Sequence, residues 1–147
     1  MPDSLNSEAL SSLYRTTDML RRRNNGLIEA HGLSMQQFNV LRILRNAGPE
    51  GLPTLDIGVQ MIEKSPGVTR LLDKLESRGM VRRERQTLDR RQVLCFITQS
   101  GLDILKGLDG PIHQYSREEF ACLSEAELGA LLEVLARIKA HLGTLNK

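Results

Sequence analysis

The chain has 147 residues, with 20 Lys/Arg against 18 Asp/Glu and a formal net charge of +2 at pH 7; that length suits one compact domain with a real core and argues against a tandem array. The charge is uneven: residues 1–53 carry six cations and five anions, residues 54–98 nine and six, and residues 99–147 five and seven, giving +1, +3 and −2, so a basic excess sits in the middle, as a phosphate-binding surface requires. The Met-Pro-Asp-Ser start has no basic and then apolar leader, and no apolar run nears the roughly 20 residues of a membrane span, so a cytoplasmic protein with no membrane partner is expected.

From about Ser7 to Glu29, Leu10, Leu13, Thr17, Leu20, Asn24, Leu27 and Ile28 recur at three- and four-residue steps. They predict one long amphipathic helix, with Arg15 and Arg22 on its other face and Gly32 as its C-terminal cap. Ser34-x-x-Gln37 reads as a capping box opening a second helix, with Phe38, Leu41 and Leu44 as its buried stripe. The stretch from Asn46 to Gly51 stops that helix, and Leu52 is held extended by Pro53. A third helix, capped by Thr54, is expected to run to about Ile62 with Gly58 inside it, a glycine that costs roughly 1 kcal/mol relative to alanine. A fourth is expected to start with Ser65 as N-cap and Pro66 at the first helical position, and to end near Arg78-Gly79.

After Gly79 the pattern changes to two extended runs, Met80–Arg85 and Gln92–Thr98, joined by the polar stretch Gln86–Arg91: a β-hairpin with a charged tip. In the second run Val93, Cys95 and Ile97 point one way, and Leu94 and Phe96 the other. Thr98 closes the strand and caps the next helix, which carries Leu102, Leu105, Leu108 and Ile112 to about Cys122, with a kink expected at Gly110-Pro111. Ser124-x-x-Glu127 is a capping box opening a last helix, whose Leu128, Leu131, Leu132, Leu135, Ile138 and Leu142 form a wide apolar face. The fold class is therefore mainly α, an α+β arrangement of six helices and one hairpin.

Two short helices across a tight turn, followed by a hairpin with a basic tip, form a winged helix-turn-helix, whose second helix suits the major groove of DNA. In that helix Val68, Leu71, Leu72 and Leu75 should pack inward, leaving Pro66, Gly67, Thr69, Arg70, Asp73 and Lys74 outward. Small side chains at its start let the backbone approach base edges, Thr69 offers a hydroxyl and a methyl, and Arg70 suits guanine or phosphate; the same set also suits an ordinary solvated face. No nucleophile–base pair, phosphate loop or metal spacing is present, and Cys95, Cys122, His31, His113 and His141 are scattered, so neither an enzyme, a cofactor, a metal nor a disulfide is expected.

The run Ser65-Pro-Gly-Val-Thr-Arg-Leu-Leu-Asp-Lys-Leu-Glu-Ser-Arg-Gly-Met-Val-Arg-Arg83, followed by Asp89-Arg-Arg91, Leu94 to Thr98 and Gly101, resembles the MarR family of regulators. The resemblance implies residues 34–98 as a DNA-binding winged helix-turn-helix, and residues 1–33 and 99–147 as a helical dimerisation region. It implies a homodimer on a pseudo-palindromic operator in promoter DNA, with Ser65, Pro66, Gly67, Thr69, Arg70 and Lys74 at the major groove and Asp89, Arg90 and Arg91 at the wing. There the aspartate would brace an arginine reaching into the minor groove. It further implies a ligand-responsive repressor for a small aromatic or phenolic effector, with Tyr14, Arg15, Met19, Arg22 and Phe38 as candidates for lining the crevice. Glu63-Lys64 stands where many members have glycine. Cys95 is expected to be a buried small hydrophobe and Cys122 more exposed. The alternative function is a winged-helix architectural or protein-interaction module with no effector.

Overall fold

Local capping chemistry sets the helix boundaries in the computed structural model, which describes residues 2–61 and 67–145. Helix α1 (Pro2–Ala30) begins earlier than its apolar periodicity indicates. It ends in a Schellman motif: Gly32, at φ 79°, donates its N–H to Glu29 O at 2.9 Å, and Leu33 donates to Ile28 O at 3.3 Å. Helix α2 (Met35–Ala47) opens with the expected capping box, in which Gln37 N–H donates to Ser34 Oγ and Ser34 N–H to Gln37 Oε1, at 3.1 and 3.0 Å. A short 3-10 turn (Gly48–Glu50) then leads into strand β1 (Leu52–Pro53).

Helix α3 (Thr54–Gln60) has Pro53, not Thr54, in the N-cap position. Pro53 is already extended (φ −61°, ψ 147°) and pinned in β1, so the helix starts one residue earlier than the threonine signal suggests, and the Thr54 hydroxyl faces Cys95 Sγ at 3.6 Å. The expected end at Ile62 lies outside the described residues. Helix α4 (Val68–Ser77) has Gly67 in the N-cap position, so its start differs from that expected at Ser65-Pro66, both of which lie outside the described residues. Its end repeats the Schellman pattern, with Gly79 N–H to Glu76 O and Met80 N–H to Leu75 O, each at 2.9 Å.

Strands β2 (Val81–Arg85) and β3 (Val93–Ile97) pair antiparallel, Val81 opposite Ile97 and Arg83 opposite Cys95. The other edge of β3 takes β1, Leu52 opposite Cys95, giving a three-stranded sheet in the order β1-β3-β2 where the sequence indicated a hairpin alone. Pro53 is tolerated because an edge residue owes its outer side no N–H.

Helix α5 (Gln99–Glu119) stops short of Cys122 and continues as one helix through Pro111. Its cap explains the Thr-x-x-Gly spacing. The Thr98 hydroxyl donates to Gly79 O at 2.6 Å and accepts the Gly101 N–H at 3.3 Å, while Thr98 N–H donates to Met80 O at 3.0 Å. Gly101 is thereby drawn against the strand: a Cβ there would lie 2.6 Å from Met80 O and 2.8 Å from Ile97 Cγ1.

Two compact units result, Met1–Ile112 and His113–Lys147. The first holds one core in which Ile28, Leu33, Val40, Leu41, Leu44, Ile57, Leu72, Leu75, Val81, Cys95, Leu105 and Leu108 are fully enclosed. An ion pair on its flank joins α2 to α5, Arg45 Nη1 meeting both Asp109 carboxylate oxygens at 3.0 Å. The first half of α1 carries its apolar stripe in the open, Leu10 being 53% and Leu13 40% exposed. In the second unit, helix α6 (Glu125–Leu145) opens with the Ser124–Glu127 capping box. None of its described residues is buried; Leu128, Leu131 and Leu135 are half-buried, and Leu132, Ile138 and Leu142 are exposed.

Candidate nucleic-acid interface

Helix α4 turns its apolar stripe inward, with Leu72 and Leu75 fully buried and Val68 and Leu71 half-buried. The helical period then sends Thr69, Arg70, Asp73 and Lys74 to solvent. Gly67 is exposed at the N-cap and, having no side chain, supplies no side-chain cap to the first turn.

A side chain of the sheet reaches across to α4. Strand alternation puts Arg83 on the same face as Val81 and Cys95, toward the helices. From there its guanidinium forks across one turn of α4, Nη2 to Asp73 Oδ1 at 2.7 Å and Nε to Glu76 Oε2 at 2.9 Å. The hydrogen bond that Arg83 donates to Glu76 leads in raising the Arg83 pKa; burial opposes it, and the bond to Asp73 adds to it. The other end of α4 is held by Arg78, whose Nη1 donates to Gly32 O at 2.8 Å.

In the wing, Gln86 N–H donates to Gln92 O and Gln92 N–H to Asp89 O, at 3.1 and 3.0 Å. Asp89 Oδ1 accepts the Arg91 backbone N–H at 3.0 Å. This aspartate therefore braces the turn through the main chain, whereas the resemblance implied a brace on the guanidinium. Asp89, Arg90 and Arg91 are exposed at the tip beside Leu88. At the wing base, the Arg82 guanidinium lies 4.4 Å over the Phe96 ring and pairs with Glu84. Of the nine candidate DNA-contacting residues, Gly67, Thr69, Arg70, Lys74, Asp89, Arg90 and Arg91 are solvent-facing, in two groups, one on α4 and one at the wing tip. Ser65 and Pro66 lie outside the described residues.

The effector candidates are not brought together. A cavity of about 350 Å³ lies between α1, α2 and Ile112 of α5, with Leu20, Ile28, Met35 and Phe38 as apolar lining and Thr17, Arg21, Asn24, Asn39 and Arg42 as polar lining. Of the five expected residues only Phe38 lines it, beneath the Arg42 guanidinium at 5.6 Å. Arg15, Met19 and Arg22 lie on the far side of α1 and Tyr14 one turn before the cavity begins; Tyr14 and Met19 are 69% and 71% exposed, and Arg22 pairs with Asp18 at 2.9 Å. The inward helical phase instead selects Thr17, Arg21, Asn24 and Ile28.

Cys95 is buried, and desolvation pushes its thiol pKa up; Cys122 is exposed. Among the described residues no group of His, Cys, Asp or Glu could hold a metal ion, and no helix is long and apolar enough to cross a membrane.

Residues 33–93 match the model of the MarR family. The chain is 33% identical over 141 residues to the HTH-type transcriptional regulator TtmR of Methylorubrum extorquens, spanning 96% of this chain and 70% of that protein. Among solved structures, a MarR transcription factor from Planctomyces limnophilus is 36% identical, with a TM-score of 0.71 over 88% of this chain and 94% of that one. A MarR-like transcription regulator from Bacillus cereus shares the fold at 23% identity, with a TM-score of 0.86 over 95% and 99% of the two chains.

Proposed function

This chain belongs to the MarR family of winged helix-turn-helix, DNA-binding transcriptional regulators, and from that premise we propose that it acts as a homodimeric, ligand-responsive repressor on a pseudo-palindromic operator. Residues 34–98 form the DNA-binding domain in this reading, and residues 1–33 and 99–147 the dimerisation region. Helix α4 enters the major groove, led by Ser65, Pro66, Gly67, Thr69, Arg70 and Lys74. Asp89 shapes the wing so that Arg90 and Arg91 reach the minor groove, where a narrow groove concentrates negative potential.

The observation that carries the reading is the exposure of cations on two separate projections of one compact unit, Arg70 and Lys74 on α4 and Arg90 and Arg91 at the wing tip. Dimerisation is supported by apolar surface left open on the terminal helices, Leu10 and Leu13 on α1 and Leu132, Ile138 and Leu142 on α6. Paired α4 helices require half-site centres about one helical turn, roughly 10–10.5 base pairs, apart. Ligand response is supported by the apolar cavity with Arg21 and Arg42 in its wall, which suits a small aromatic anion. Relatives named as transcription regulators support a non-enzymatic role, and a regulator of chromosomal DNA works in the cytoplasm.

The test is a titration of duplexes selected from random DNA by the full chain. Wild type is expected to bind a palindromic site as a dimer, Arg91→Ala to lower affinity and salt dependence, and an aromatic acid that raises the melting temperature to release the DNA. Unchanged affinity and salt slope in Arg91→Ala would reject the wing assignment. Weak sequence preference with no response to aromatic acids would leave an architectural module.

A further inference from the structure

Helix α4 has a charge problem on the flank it offers to DNA. Asp73 lies one turn beyond Thr69 and Arg70, beside Lys74, and Glu76 follows one turn later; their side chains are 59% and 42% exposed. Unpaired, two carboxylates on that flank repel the phosphates that Arg70 and Lys74 attract, and the repulsion reaches about a Debye length, roughly 8–10 Å at working salt. Each carboxylate is held by the same guanidinium, that of Arg83, at 2.7 and 2.9 Å. Arg83 is only 23% exposed and arrives from the helix-facing side of β2, whereas its neighbour Arg82 turns to the opposite face, over Phe96.

Thus we infer that Arg83 serves DNA binding by neutralising Asp73 and Glu76, leaving α4 to present Thr69, Arg70 and Lys74 without an opposing negative field. Arg83 is a positioning residue in this role, acting through the two carboxylates and not through the DNA. Arginine fits the task because its planar fork reaches two acceptors one helical turn apart; the ammonium of a lysine is a point charge that serves one. Stability is a weaker explanation for the pairing, since partly exposed ion pairs contribute little to folding. The inference rests on the reading of α4 as the DNA-facing helix.

The probe is a fluorescein-labelled duplex selected from random DNA by the wild-type chain, titrated by anisotropy, with thermal melts as a check on folding. Arg83→Gln is expected to weaken binding about tenfold, and the triple variant Arg83→Gln, Asp73→Asn, Glu76→Gln to return to within about threefold of wild type, because the carboxylates that needed neutralising are gone. A purely structural brace does not predict that rescue. Wild-type affinity in Arg83→Gln, or a triple variant as weak as the single, overturns the inference. Should Arg83→Gln fail to fold, Asp73→Asn with Glu76→Gln in the presence of Arg83 decides: affinity equal to wild type or tighter supports the inference, and a loss beyond about threefold overturns it. Arg70→Ala separates the two readings. If it is weakened while Arg83→Gln is not, the inference alone fails; if it binds as wild type does, the placement of α4 fails and takes the inference with it.

Discussion

Replacing Gly101 by alanine tests how the wing is joined to α5. A methyl group there meets Met80 O at 2.6 Å and Ile97 Cγ1 at 2.8 Å, both closer than a carbon tolerates. Neither neighbour can retreat cheaply: Met80 O already accepts the Thr98 N–H at 3.0 Å, and Ile97 is paired with Val81. Overpacking of this kind costs up to about 3 kcal/mol, against a gain of up to about 1 kcal/mol for alanine over glycine in a helix. The net expectation is a loss of about 2 kcal/mol, which in a chain of this size lowers the melting temperature by roughly 4–8 °C. Urea unfolding followed by circular dichroism measures it, at one fixed protein concentration because association shifts the midpoint. A Gly101→Ala midpoint at or above that of wild type would refute the argument that close approach of α5 to the strand is what demands glycine.

Gly58→Ala should act oppositely: its Cβ would meet Val68 Cγ2 at 3.6 Å, an ordinary contact, so the helix gain of roughly 1 kcal/mol should appear as a higher urea midpoint. A thiol reagent at pH 8 should label Cys122 rapidly and Cys95 only on unfolding, because burial both shields the Cys95 thiol and pushes its pKa up. The Glu127 carboxylate is held below its ordinary pKa by the Ser124 backbone N–H and, second, by the Ser124 hydroxyl. A carboxylate with a depressed folded-state pKa stabilises above its unfolded value and loses that contribution as pH falls through the folded one. The stability gap between wild type and Glu127→Ala should therefore be widest near neutral pH and close below the usual glutamate range, as read by urea midpoints across pH.

Features decided within four or five residues were legible in the sequence. The capping boxes at Ser34–Gln37 and Ser124–Glu127, the Gly32 cap, and the inward set Leu72 and Leu75 follow from local hydrogen bonding and helical period. Pairing of β1 with β3 was not, because two residues carry no periodicity and their partner lies some forty positions away. That pairing also overrides the local capping signal of Thr54, since tertiary fixation of Pro53 sets the helix start. The effector candidates rest on likeness of position, whereas the helical phase through Thr17, Asn24 and Ile28, visible in the α1 stripe, is the one that lines the cavity. The Arg83 fork left a fainter trace: a cation on the inward phase of a strand, with two acids one turn apart on the preceding helix.

The small sheet bears on solubility. An open sheet edge is a template onto which another chain can add a strand. Here one edge is the two-residue β1, where Pro53 has no N–H to offer, and the other is β2, whose Arg82, Arg83, Glu84 and Arg85 place charge along it. Both edges discourage growth into fibrils. A second chain that meets this sheet thus finds little backbone to extend, on the short proline-bearing edge or on the charged one.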